Sequence, residues 1–188
     1  MHESWPWKRE LKLLVAQLAT WIEEFECDDD EKDAGPQREE AGFQIEKAMF
    51  LSAYIVRKLI ENKKVADSIA EHQVDCHSSR YVGPHPIRIF GADIERDFDH
   101  KRKSKQKISL QKLCHELVHA KIFNNGTTRE DLVLQGFWVC SDLNQDKRIL
   151  FVDFSDWTFA LRKVSENYPH SIRTVRDQVS GKLKIEVT

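Results

Sequence analysis

The sequence contains no long apolar run, and this absence argues against a membrane-spanning helix. Its longest apolar stretch, Ala48 to Val56, is interrupted by Ser52 and is far shorter than the ~20 residues that cross a bilayer. The amino-terminal residues also lack a basic region followed by an unbroken apolar segment, the pattern of a secretory signal. We therefore expect a protein that is neither exported nor inserted into a membrane.

Cysteine is scarce and shows no pairing pattern. The four cysteines are widely separated and form no C-x-x-C pair, so neither a disulfide framework nor a cysteine metal site is indicated. Reduced thiols in a cytoplasmic protein fit this pattern best. The four are Cys27, Cys76, Cys114 and Cys140.

The chain also lacks a large excess of either charge, because 29 Lys and Arg residues are balanced by 31 Asp and Glu residues and the formal net charge is -2. Such a chain has no global field that attracts nucleic acid or an anionic membrane. The basic run His100 to Lys107 lies in a polar segment, Asp93 to Lys107, which we expect to be a mobile solvated loop. Because no aromatic residues are interleaved with these cations, the sequence argues against a nucleic-acid partner.

What is present is enough for one folded domain, since 40% of the 188 residues are hydrophobic and 32% are charged. We expect a single α+β domain over residues 1–188, with a helical half at about 1–72 and a mixed half at about 73–188. In the first half, apolar residues recur at steps of three and four, which predicts amphipathic helices. The expected helices span Trp7 to Phe25, Gln37 to Lys63 and Val65 to His72.

In the second half, short apolar runs bounded by turn residues predict strands. A helix from Ser155 to Asn167 should follow the strand Arg148 to Phe154, with Ser155 and Asp156 at its N-cap. The predicted fold is an N-terminal helical layer packed on an antiparallel sheet of two hairpins, with a central buried helix. The expected strands span Val74 to Val82, Ile87 to Phe90, Leu132 to Cys140, Arg148 to Phe154, Ser171 to Arg176 and Lys182 to Val187.

The central helix should run from Ser109 to Asn124 and end at Asn125-Gly126, where glycine can adopt a left-handed C-cap. It carries the sharpest motif in the chain, His115-Glu116-Leu117-Val118-His119, which spells H-E-x-x-H. On a helix, positions i and i+4 lie on one face, so the two imidazoles could bind one metal ion. At ~100° per residue the two histidines also share a sector with Ile122 and Phe123, so the helix is expected to be buried.

The segment His115 to His119 resembles the zincin metallopeptidase superfamily in these five residues. In that family the two histidines bind zinc and the glutamate is the general base. The resemblance therefore assigns zinc ligation to His115 and His119 and activation of a zinc-bound water to Glu116. Lys121 departs from the family pattern, which has an apolar residue two places after the second histidine.

A catalytic zinc site needs a third protein ligand, and the sequence does not identify one. The metzincin continuation would require glycine at Ile122 and histidine at Asn125, and neither is present. The gluzincin alternative takes a carboxylate from a following helix. Asp156 or Glu166 could be that carboxylate, and Glu130 and Asp131 are further candidates that lie close in sequence, just beyond the turn at Gly126.

Two main functions therefore remain open, with a nucleic-acid role through Lys101 to Lys107 ranked third, and the sequence leaves undecided whether the protein is an enzyme. The first is a non-catalytic binding protein without a cofactor, which self-associates or binds a protein partner through the aromatic hairpin Leu132 to Phe154. The second is a zinc-dependent, peptidase-like hydrolase that uses His115, Glu116 and His119. The first is favoured, because a five-residue motif arises easily by chance in a chain with eight histidines.

Overall fold

The structure is a computed structural model that describes residues 3–26, 34–84, 93–127, 133–176, 181 and 183–188. Within these ranges, six helices and seven strands confirm the predicted α+β class. The helices are α1 (Trp5–Glu26), α2 (Ala34–Glu61), α3 (Asp67–Ala70), α4 (Ile94–Asp97), α5 (Leu110–Val118) and α6 (Phe154–Glu166). The strands are β1 (Gln73–Tyr81), β2 (Phe98–Ser109), β3 (Ala120–Thr127), β4 (Leu134–Ser141), β5 (Arg148–Asp153), β6 (Ile172–Arg176) and β7 (Leu183–Val187).

The two long amino-terminal helices form where the apolar periodicity predicts them. α1 buries Leu11, Leu14 and Leu18, which share one face because residues three and four apart are neighbours on a helix. α2 packs against both α1 and α5 and buries Ile45 and Met49 completely. The third predicted helix is present as the four-residue α3.

A five-stranded antiparallel sheet lies against these helices, with the strand order β2-β1-β5-β4-β3. The predicted hairpin of β4 and β5 occupies interior positions, so its strands are paired on both sides. The second predicted hairpin, β6 and β7, forms a separate two-stranded sheet. It is joined to α3 by the Val187 N–H, which donates to Asp67 Oδ2 at 3.0 Å.

The main core fills the space between the helices and one face of the sheet. Phe137 and Val139 of β4 belong to it, together with Trp157 of α6. The intervening Trp138 and the following Cys140 belong to a smaller cluster on the other face, because successive side chains of a strand alternate. The sheet therefore has one face covered by α1, α2, α5 and α6 and a second face that carries Trp138.

The prediction of a mobile loop over Asp93 to Lys107 is wrong, because this segment forms α4 and most of the edge strand β2, which contains the basic run. Backbone pairing with β1 holds the segment in register, for example with His77 opposite Lys105. Charged side chains are common on edge strands, where they discourage pairing with another chain. The run of like charge is therefore solvated but ordered.

The prediction of a helix from Ser109 to Asn124 is right only for its first half. α5 ends at Val118, and β3 begins at Ala120 and pairs with β4. In β3, Phe123 packs against the main core and Ile122 against the smaller cluster on the opposite face. Pairing with β4 and apolar contacts on two faces thus outweigh the local helical periodicity.

The remaining expectations differ from the structure in detail. α6 begins at Phe154, so its N-cap is Asp153 instead of Ser155 and Asp156. The expected strand Ile87 to Phe90 lies outside the described residues. Among the helices that the structure describes, none is long and apolar enough to cross a bilayer.

Candidate functional site

The H-E-x-x-H segment lies at the junction between α5 and the sheet. α5 starts at an N-cap formed by Ser109, whose Oγ accepts a hydrogen bond from the Lys112 N–H at 3.4 Å. It stops at Val118, and His119 is the C-cap residue rather than part of the helix. The carbonyl of His119 then accepts a hydrogen bond from the Asp142 N–H at 3.1 Å, which ties the helix end to the turn after β4.

Glu116 is a buried carboxylate, 5% exposed, that holds the β4–β5 turn. Its Oε2 accepts a hydrogen bond from the Ser141 N–H at 3.0 Å. Its Oε1 accepts from Asn144 Nδ2 at 2.6 Å and forms a longer ion pair, 3.4 Å, with the guanidinium of Arg148. Both oxygens are therefore engaged by donors from a turn that is distant in sequence.

His115 and His119 lie next to each other, as the spacing predicts, with ring centroids 4.5 Å apart. Both side chains are exposed, so the expected burial of the pair is wrong. The reason is that Ile122 and Phe123 belong to β3 and cannot form an apolar sector around the histidines. Nε2 of His119 lies 3.1 Å from an Arg57 guanidinium nitrogen, an arrangement in which the imidazole accepts the hydrogen bond.

The structure does not bring a third ligand to the histidine pair from the residues that it describes. Within those residues, no group of three or more His, Cys, Asp or Glu side chains is placed to hold a metal ion. Asp156 and Glu166, two of the proposed third ligands, lie at opposite ends of α6. Burial, followed by the nearby Asp153 and Asp75 carboxylates, raises the pKa of Asp156. The other two, Glu130 and Asp131, lie outside the described residues.

The described cysteines are buried thiols without a disulfide. Burial raises the pKa of Cys114, and burial together with Glu116 raises that of Cys140 to about 12. A thiol with a raised pKa is a poor nucleophile at neutral pH. Cys76 and Cys114 are part of the main core and Cys140 is part of the smaller cluster, while Cys27 lies outside the described residues.

His115 and Glu116 also border a cleft of about 580 Å³ between α5, β2 and the β4–β5 turn. Its walls are mostly cationic and amide side chains, and its one carboxylate, Glu116, is already hydrogen-bonded. Nε2 of Gln106, a cleft-lining residue, is buried without a partner. The cleft is lined by Gln73, Gln106, Lys107, Ile108, Ser109, Gln111, Lys112, His115, Glu116, Asn144 and Arg148.

The second candidate region is the face of the five-stranded sheet opposite α1, α2, α5 and α6, which we call the open face. Ile94 of α4 packs against the smaller cluster on this face. A straight row of directly opposed residues crosses it, one from each strand. Directly opposed residues present their side chains on the same face. Each of the five is partly or fully exposed. In the order β3, β4, β5, β1 and β2 they are Asn124, Trp138, Phe151, His77 and Lys105.

Further cations of β2 lie beside this row, and nothing in the sequence indicated that they would meet aromatic rings. Lys103 Nζ lies 5.5 Å from the centroid of the Trp138 ring, within the range of a cation–π contact. The signal that could have found the row is the pair Phe137-Trp138 in a predicted strand, because adjacent residues of a strand point to opposite faces. With Phe137 in the core, Trp138 has to lie on the other side.

Because comparisons with known proteins found no match, the function has to be argued from the geometry of the histidine pair and of the open face. The histidine pair lies beside an engaged glutamate and an arginine, and the open face combines aromatic rings with a cationic strand. No family model, no curated protein and no solved structure matches this chain.

Proposed function

We propose that this protein is a non-catalytic binding protein that binds an anionic partner on the open face of its sheet. The observation that carries the proposal is the row from Trp138 through Phe151 and His77 to Lys105, which crosses four strands on one face. Large rings supply contact area at small entropic cost, and unpaired cations attract negative charge. This combination favours recognition over chemistry.

The hydrogen bonds of Glu116 support a structural role for the H-E-x-x-H segment. A general base must face a water molecule within hydrogen-bond reach of the reacting group. Here the two carboxylate oxygens accept from Ser141, Asn144 and Arg148, so the carboxylate fixes the turn between β4 and β5. Rotation of Glu116 toward a metal ion would leave the Ser141 N–H without its acceptor.

The zinc-dependent hydrolase stays the alternative, and the observation that favours it is the proximity of the His115 and His119 rings. Zinc at these rings requires Arg57 to move away from Nε2 of His119 and a further ligand to approach. Zinc analysis of protein purified without a histidine tag distinguishes the two functions. The binding proposal expects zinc far below one equivalent, and a stoichiometric zinc content that His119→Ala abolishes would favour the hydrolase.

The open-face proposal is tested by nuclear magnetic resonance of ¹⁵N-labelled protein titrated with a heparin fragment as the anionic probe and with polylysine as the opposite control. We expect heparin, but not polylysine, to shift the backbone amide signals of Trp138, Phe151, His77 and Lys105. A Lys103→Gln/Lys105→Gln variant should lose most of this shift. Shifts confined to the cleft beside α5, or none at all, would overturn the proposal.

A second copy of this chain is the competing occupant of the open face, as self-association through the β4–β5 hairpin was expected from the sequence. Light scattering over a range of protein concentrations separates the two occupants. A monomer at all concentrations agrees with the binding of an anionic partner. A dimer that Trp138→Ala dissociates would replace the anionic partner with self-association.

A further inference from the structure

We propose that the partner on the open face is single-stranded nucleic acid, with bases stacked on Trp138 and Phe151 and phosphates held by β2. The inference rests on the proposed function, since it names the chemical class of that partner. It also reverses the expectation drawn from the sequence, in which the cations and the aromatic residues are far apart. The structure places them on one surface.

The Phe151 ring lies directly against two glycines of strands β3 and β4. A Cβ atom added to Gly126 would lie 2.4 Å from this ring, and one added to Gly136 would lie 2.9 Å from it. Gly126 and Gly136 are directly opposed on β3 and β4, so the ring crosses two strands where no side chains intervene. A ring seated this low leaves its outer side available to another flat group.

The rings of Trp138 and His100 continue the aromatic surface beside Phe151. The centroid of the Trp138 ring is 4.8 Å from that of Phe151 and 4.8 Å from that of His100. His100 is fixed by Ser79 Oγ, 3.1 Å from Nδ1, and by the carbonyl of Ile94, 2.7 Å from Nε2. The Trp138 plane is tilted by 51° against Phe151 and by 67° against His100. The three rings therefore form a stepped platform rather than a flat one, on which bases can stack one ring at a time.

The edge strand β2 is strongly cationic. The strand carries five cations, and within the part of the chain that the structure describes none of them forms an ion pair with a carboxylate. Lys103, Lys105 and Lys107 alternate along the strand on the open face, whereas Lys101 and Arg102 lie where the pairing with β1 shifts register. Alternate residues of a strand lie ~7 Å apart on one face, a spacing of the order of the phosphate repeat in an extended single strand. The cations are Lys101, Arg102, Lys103, Lys105 and Lys107.

The position of the acidic residues determines how the single-stranded nucleic acid would lie on the open face. Asp153 is directly opposed to Gly136, and Asp75 is directly opposed to Lys107. A phosphate backbone that ran over β4 and β5 would meet the Asp153 carboxylate. Phosphates are therefore placed along the outer edge at β2, with the bases pointing inward to Trp138.

A single strand is favoured over a duplex because the rings need unpaired bases. In a duplex the base faces are stacked on one another, and a flat sheet face cannot reach them. A single strand can turn its bases toward Trp138 and Phe151 while its phosphates stay at the edge. Stacking tolerates any base, so the proposal includes no sequence specificity.

The test is fluorescence anisotropy with labelled oligouridylate and oligothymidylate of about 10 nucleotides, within the site sizes of single-strand-binding sheets. We expect saturable binding of the single strands at about 50 mM salt, with weaker binding of a duplex of the same length. A logarithmic salt slope of about -2 is expected, because the phosphate contacts of Lys103, Lys105 and Lys107 each contribute about -0.7. Trp138→Ala should weaken binding about 5- to 100-fold.

The controls separate the platform from general charge and from misfolding. On α6, Lys163 Nζ lies 4.7 Å from the centroid of the exposed Phe159 ring. This pair matches Lys103 and Trp138 in chemistry but lies away from the open face. Phe159→Ala/Lys163→Gln should leave the affinity unchanged. Lys103→Gln/Lys105→Gln alters only exposed side chains and should bring the salt slope close to -0.7, since about one phosphate contact remains. Equal melting temperatures verify that these variants fold.

Several outcomes would overturn the inference. They are the absence of saturable binding, duplex affinity equal to or above that of the single strand, and equal losses in the Trp138 and Phe159 variants. If heparin shifts the amides of the open face and the oligonucleotides do not bind, only the nucleic acid is eliminated. If neither probe acts on the open face, the binding proposal fails with it.

Discussion

At the scale of single residues, Glu116 shows why a motif is not a site. The spelling H-E-x-x-H gives the glutamate a catalytic role by resemblance, yet its oxygens accept from Ser141, Asn144 and Arg148. These donors lie 25 to 32 positions further along the chain. The sequence could not predict the pairing, because it depends on how the β4–β5 turn approaches α5.

Glu116→Gln should therefore destabilise the fold. The amide group places a donor opposite donors, so at least one buried hydrogen bond is lost, and we expect about 1–3 kcal/mol less free energy of unfolding. Urea denaturation measures the change. Glu46→Gln, at an exposed position of α2, is the matched control and should have little effect. A Glu116 variant as stable as the wild type would contradict the structural role and favour a functional one.

At the scale of elements, the sequence predicted which segments are regular better than where they stop. α1, α6 and the two hairpins follow directly from apolar periodicity and turn residues. β2 and β3 do not, because their formation depends on a partner strand and not on their own composition. β2 is drawn into the sheet by pairing with β1, and β3 by pairing with β4.

Gly136 lies close to the backbone of β5, and this contact provides a prediction about β4 and β5. A Cβ atom added there would lie 2.1 Å from the carbonyl oxygen of Val152 and 2.9 Å from the Phe151 ring. Because the nearest atom is backbone, Gly136→Ala should push the strands apart and cost about 1–3 kcal/mol of unfolding free energy in a urea titration.

The matched control for this prediction is Gly35→Ala. Gly35 lies in the first turn of α2, where an added Cβ atom would meet nothing within 4 Å. Alanine restricts the unfolded chain and favours a helix, so this variant should be neutral or up to about 1 kcal/mol more stable. Equal destabilisation of both variants would show that the contact at Gly136 is not the cause.

At the scale of the whole molecule, Lys8 ties three parts of the chain together. Only 1% of this α1 residue is exposed, and its Nζ donates to the carbonyls of Lys64 and Asn167. It also lies 4.0 Å from the centroid of the Tyr168 ring. Periodicity marked α1 as amphipathic but gave no sign of a buried lysine, whose partners come from distant segments.

Burial, and next the charge of Lys64, lowers the pKa of Lys8 in the folded protein. The unfolded chain then binds more protons than the folded one between this lowered pKa and the ordinary value of about 10.4. The contribution of Lys8 to stability should therefore increase as pH rises through that alkaline interval. Lys8→Met lacks this increase.

Urea unfolding of the wild type and of Lys8→Met at a series of alkaline pH values measures the difference. The free energy of unfolding of the wild type should increase relative to that of Lys8→Met as pH rises. Lys12→Met, at an exposed position of the same helix, should instead follow the wild-type pH dependence. Parallel curves for the wild type and Lys8→Met would mean that Lys8 titrates alike in both states.

By itself, the sequence determined the α+β class, the amino-terminal helices, both hairpins and the adjacency of His115 and His119, because each follows from local periodicity or spacing. Tertiary structure decided the end of α5, the strands β2 and β3, the engagement of Glu116 and the meeting of Lys103 with Trp138. The physical reason is the same in each case. Backbone pairing and buried polar contacts join segments that are far apart in the chain, and local sequence carries no record of which segments will meet.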